Sequence, residues 1–84
     1  MFGLGVASHL KKSVDLGNKY NLSWILYKSY NSLGILNMNL SFYNISLDKF
    51  KKALEFAPTL IDSLQLKINF SRVYLDLQRK DIAI

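Results

Sequence analysis

Apolar residues along this chain recur at intervals of three and four, and no stretch alternates strictly, which predicts helices and no strands. Val6, Leu10, Val14 and Leu16 define a first helix from about Leu4 to Leu16, and Gly17 is the residue type favoured just past a last turn. Asn18 to Asn21 then form a connection, with Asn21 placed to cap a second helix from Leu22 to Met38 that carries Ile25, Leu26, Leu33 and Leu36. The Asn- and Ser-rich stretch from Asn37 to Ser41 predicts a tight turn, because short polar side chains compete for backbone hydrogen bonds. A third helix follows from Phe42 to Ala57, carrying Tyr43, Leu47, Phe50, Ala53 and Leu54, and Pro58 forbids its continuation. Thr59 and Asp62 have the spacing of a capping pair and open a fourth helix from Leu60 to Leu77 with Leu64, Ile68, Phe70, Val73 and Tyr74. After Gln78 and Arg79 a fifth helix is expected to begin at Ile82.

The pattern repeats itself. His9 to Gly17 returns as Lys49 to Ala57 at an offset of 40, and Leu33 to Leu40 returns as Phe70 to Leu77 at an offset of 37. Periods in this range mark stacked helical hairpins, in which each unit buries its apolar face against its neighbours. The expected fold is therefore all-α, with antiparallel hairpins in a single domain over residues 1–84.

The unit from Tyr30 to Pro58 resembles a tetratricopeptide repeat. Tyr30, Leu33-Gly34, Leu40-Ser41-Phe42-Tyr43, Ser46-Leu47, Phe50, Lys52-Ala53-Leu54-Glu55 and Pro58 stand where that family has its aromatic, Leu-Gly, turn, small-aliphatic, aromatic, Lys-Ala-Leu-Glu and Pro positions. A partial unit matches through Phe70, Ser71, Tyr74 and Ala83, and Leu10 with Lys12 to Asp15 looks like the end of an earlier one. The resemblance divides the chain into the second half of a repeat (1–18), one complete repeat (21–58) and a partial repeat (60–84), stacked as a right-handed solenoid of about two repeats. Gly34 and Ser46 are then expected at a close helix crossing, with Phe50 and Leu33 filling the space beside them. Asn37, Ser41 and Gln78 depart from the family's Tyr and turn-Gly positions, and both offsets exceed the usual period of about 34. Such long repeats are similar to those of bacterial signalling and regulatory proteins with tetratricopeptide sensor regions.

Composition narrows the chemistry. The 84 residues hold no cysteine, so there is no disulfide framework and no thiolate, and no apolar run is long enough to span a bilayer. Lys11 and Lys12 follow the apolar start instead of preceding it, unlike a secretory leader, and the chain is expected to be soluble and cytoplasmic. Its net charge of +5 is dispersed from Lys11 to Lys80 without an accompanying nucleic-acid motif. Four Asn-x-Ser triplets, at Asn21, Asn39, Asn44 and Asn69, are read as products of composition.

No catalytic, cofactor or metal constellation is legible. His9, the one histidine, lacks a spaced Ser or carboxylate partner and is read as a surface residue, and an enzyme is not expected. Trp24, one turn into the second helix, is expected to seal the junction between repeats. Lys11-Lys12 and Lys51-Lys52 recur as exposed basic pairs. By resemblance, the concave face would expose Lys28, Asn31, Ser32, Ile35 and Asn39 on one helix and Gln65, Asn69, Arg72 and Asp76 on the next, a set suited to a peptide or an acidic protein segment. The expected role is a protein or peptide interaction module, with a basic helical nucleic-acid-binding domain as the alternative. No membrane partner is expected. The truncated last repeat leads to an expectation of self-association through the uncovered fourth helix.

Overall fold

The computed structural model describes the backbone of residues 2–82 and the side chains of residues 8–79. Four helices follow one another: α1 (Phe2–Tyr20), α2 (Ser23–Asn39), α3 (Tyr43–Glu55) and α4 (Leu60–Ile82). The described residues are helical with no strand, in agreement with the period of the apolar positions. Helix α2 is central: it packs against α1 on one side and α3 on the other, while α4 lies against α3 and touches the edge of α2. The Cα envelope measures 46 × 34 × 14 Å, a slab rather than a ball. Its accessible surface of 6007 Å² exceeds the roughly 5100 Å² expected of a compact monomer of this mass, so much apolar surface stays open.

The first two turns share one design. In the first, Asn21 takes φ 55° and the Leu22 N–H donates to the Gly17 carbonyl at 2.8 Å. In the second, Ser41 takes φ 64°, its N–H donates to Met38, and the Phe42 N–H donates to the Asn37 carbonyl at 2.8 Å. A left-handed residue followed by an apolar one, with the bond reaching back five residues, satisfies the last carbonyls of each helix. Asn tolerates this conformation, because its side chain can bond locally, better than Ser does.

This geometry corrects the expected first connection. Helix α1 does not stop at Leu16; it runs through Gly17 to Tyr20. Asn21 ends α1 instead of capping α2, whose N-cap is Leu22 with no side-chain hydrogen bond. Gly17 is buried for a packing reason: a Cβ there would lie 2.7 Å from Leu26 Cγ, so its lack of a side chain lets α1 and α2 approach.

Helix α3 ends at Glu55, three residues before Pro58, which disfavours helical backbone at the residue preceding it. The expected cap of α4 is present. The Thr59 hydroxyl donates to Asp62 Oδ2 at 2.8 Å, and the Asp62 N–H donates back to Thr59 Oγ1 at 3.2 Å. No turn interrupts α4 at Gln78 and Arg79; it is continuous to Ile82, which overturns the separate fifth helix. Ala83 and Ile84 lie outside the described residues.

The core sits between α2, α3 and α4. Tyr27, Met38, Phe50, Ala53, Leu66 and Val73 form one buried cluster, edged by Tyr30, Tyr43, Leu47, Phe56, Phe70 and Leu77. Phe50 meets Phe70 edge to face at 5.8 Å, and Tyr30 stacks on Phe56 at 6.2 Å, both within the favourable range for aromatic pairs. Leu66, fully buried, was not singled out by the apolar spacing, and Tyr74, matched to the motif, is exposed.

At the α2–α3 crossing Gly34, Ser46 and Phe50 meet, while Leu33, expected beside them, is half-buried and outside the core cluster. A Cβ on Gly34 would fall 2.4 Å from Phe50 Cε1, and the fully buried Ser46 hydroxyl donates to the Gly34 carbonyl at 2.7 Å. Two small residues let the axes close until a helix carbonyl, already bonded within α2, is shared with α3. That second bond also satisfies a hydroxyl that burial would otherwise leave costly.

Candidate functional site

Helix α2 divides its circumference between packing and solvent. Leu26, Tyr27, Ser29, Gly34 and Met38 are buried. Trp24, Lys28, Ile35 and Asn39, spaced so that they share one face, are exposed together with Ser32. The concave stripe expected from sequence is thus solvent-facing at Lys28, Ser32, Ile35 and Asn39, and on α4 at Gln65 and Arg72, with Asp76 half-buried.

Two members of the expected stripe are corrections. Asn69 is buried, and Asn31 is half-buried. The Asn69 side-chain amide donates to Asn31 Oδ1 at 2.9 Å. Both residues serve as a polar strut between α2 and α4, because each buried amide needs a partner and finds it on the facing helix. Tyr27 lies on the buried side of α2, where burial first and then the nearby Asp62 carboxylate push its phenol pKa up from 10.0.

Trp24 is a further correction. Instead of sealing a junction it is 55% exposed, and the Lys28 ammonium lies 5.8 Å from its ring centroid, within cation–π reach. It borders an open groove of about 310 Å³ between α1 and α2, lined also by Leu10, Ser13, Ile25, Ser29 and Ser32. That volume is at the low end for ligand pockets, enough for one or two anchoring side chains and small for a whole cofactor. Leu10 and Ser13 of α1 belong to this site and were not foreseen in it. Helical spacing marks only the Trp24 and Lys28 part of the site, one turn apart on one face; which α1 residues lie opposite depends on how α1 packs.

Among the described residues no group of three or more His, Cys, Asp or Glu could hold a metal ion, and His9 is exposed. Lys52 pairs with Asp48 at 3.9 Å and lies 5.7 Å from the Tyr30 ring, while Lys11, Lys12 and Lys51 face solvent. No described helix is long and apolar enough to cross a membrane. No known family model, no curated protein and no solved structure matches this chain.

Proposed function

We propose that the chain is a tetratricopeptide-like interaction module that binds an acidic peptide segment of another protein along the exposed face of α2. The observation that carries this reading is Trp24, the single tryptophan, standing more than half exposed at an open groove with Lys28 against its ring. A rigid aromatic that could have been buried is a favourable anchor, since it contributes contact area at little conformational cost. Lys28 beside it, with Arg72 and Gln65 on the neighbouring helix, supplies cation and amide donors for carboxylates. An apolar side chain of the peptide enters between Leu10 and Trp24, and acidic residues follow α2 past Ser32 and Asn39. The long hairpins suit a regulatory part of a larger signalling protein.

Selection of peptides from a random display library tests this, with the Trp24→Ala chain as counter-target. The expected result is a family of acidic peptides with an apolar anchor, which lose about tenfold or more in affinity on Lys28→Glu or Trp24→Ala. Equal enrichment on the Trp24→Ala chain would overturn the reading. A salt-dependent shift with generic RNA or DNA, unaffected by Trp24→Ala, would favour the nucleic-acid alternative.

A further inference from the structure

The internal repeat places α4 in register with α2 at an offset of 37 residues, so Tyr27, Gly34 and Met38 correspond to Leu64, Ser71 and Leu75. On α2 these three positions are buried, Gly34 against Phe50 of α3. On α4 all three are exposed, and Ile61 and Ile68 extend them into a stripe at heptad spacing, with exposures of 77% for Ile61, 49% for Leu64, 55% for Ile68 and 46% for Leu75. This stripe faces away from Leu66, Asn69 and Val73, which bury the other side of α4. Ser71 interrupts it where α2 has its packing glycine, and its hydroxyl donates to the Lys67 carbonyl at 3.0 Å within the helix, so a dry contact over it leaves no polar group unpaired.

We propose that this face of α4 is a second docking site, distinct from the α2 surface, for an amphipathic helix of a partner protein with acidic flanks. The partner seats as α3 seats on α2, with a large side chain over the Ser71 notch. Charge selects the acidic occupant: Lys67 borders the stripe on one side and Arg79 on the other, Asp76 on that second flank is half-buried, and the ion pair found among the described residues, Lys52 with Asp48, involves neither cation. A second copy of the chain would set one net charge of +5 against another. An anionic bilayer would also accept a basic apolar helix, yet a lipid surface has no use for a notch between bulky side chains, whereas a crossing helix does.

The test titrates the whole chain into a labelled synthetic helix of about 20 residues that repeats the Ser46, Phe50 and Ala53 spacing of α3 on a Glu-flanked face. A scrambled peptide and a Lys-flanked one are the controls, and fluorescence anisotropy is the readout. The expected result is saturable, salt-weakened binding of the Glu-flanked helix only. Ile68→Asp and Ser71→Leu should each weaken it about tenfold or more, while Trp24→Ala leaves it unchanged. Ser71→Leu separates mechanisms, because added apolar area would strengthen attachment to lipid or any unspecific apolar surface but fills the notch a helix needs. Circular dichroism checks that the variants fold, and Ile68→Asp, at an exposed position, stands in should Ser71→Leu fail. The proposal is overturned by no binding, by equal binding of the scrambled helix, by tighter binding to Ser71→Leu, or by loss confined to Trp24→Ala. It is equally overturned if light scattering shows a dimer that Ile68→Asp dissolves, or if phosphatidylserine vesicles bind where the helix does not.

Discussion

Helices α2 and α4 carry related patterns and live in different surroundings. Both have a small residue, Gly34 or Ser71, in register, with large apolar residues one turn to either side. Helix α2 is covered by α1 and α3, and its pattern is consumed by packing; α4 is covered on one side, and the corresponding residues face solvent. The lesson is that an apolar period states how many faces a helix can bury, whereas the neighbours present decide how many it does bury.

The largest expected contrast compares one substitution at the two equivalent positions. Gly34→Leu should destabilise by about 3 kcal/mol or more, because even its Cβ collides with the Phe50 ring. Ser71→Leu, at an exposed position, should stay within about 0.5 kcal/mol of wild type. Urea midpoints read both, and equal midpoints would erase the distinction between the two helices.

Next in size is the polar contact at the same crossing. Ser46→Ala removes the fully buried donor to the Gly34 carbonyl and should cost about 1–2 kcal/mol, while Ser71→Ala, which loses only a bond within its own exposed turn, should be near neutral or slightly stabilising. A Ser46→Ala midpoint as high as wild type would mean that the shared carbonyl contributes little to holding α3.

Thr59→Ala tests how α4 is anchored, given that only one of its sides is packed. Loss of the cap should lower stability by about 1 kcal/mol. Amide exchange should quicken first between Leu60 and Leu64, and a uniform change along the chain would instead tie α4 to the global unit.

The smallest effect concerns pH. Below about pH 10 Tyr27 carries its proton in both folded and unfolded chains. Above that value the unfolded chain ionises first, since burial and Asp62 hold the folded phenol protonated, so stability falls as pH rises toward the folded pKa. Tyr27→Phe should flatten this part of the alkaline profile, as read by thermal melts in a pH series. An unchanged slope would assign it to other groups.

What the sequence alone determined is local or periodic. Helix content, the Thr59–Asp62 cap and the stop before Pro58 follow from residue type at fixed spacing, because capping and ring sterics act within a turn, whereas the Gly34–Ser46–Phe50 crossing was legible only through the resemblance to a helical-hairpin repeat. The first turn misled because glycine has two uses, ending a helix or admitting a neighbour. Only the approach of Leu26 shows that Gly17 serves the second, leaving Asn21 to end the helix. The same holds for the surface. The resemblance put Lys28 and Ile35 on an open face, but Asn31 and Asn69 look the same as exposed residues until α4 is set beside α2 and the two amides meet. Trp24, whose burial depends on how α1 packs beside α2, was decided entirely by the tertiary structure, which leaves the ring 55% exposed at an open groove between the two helices.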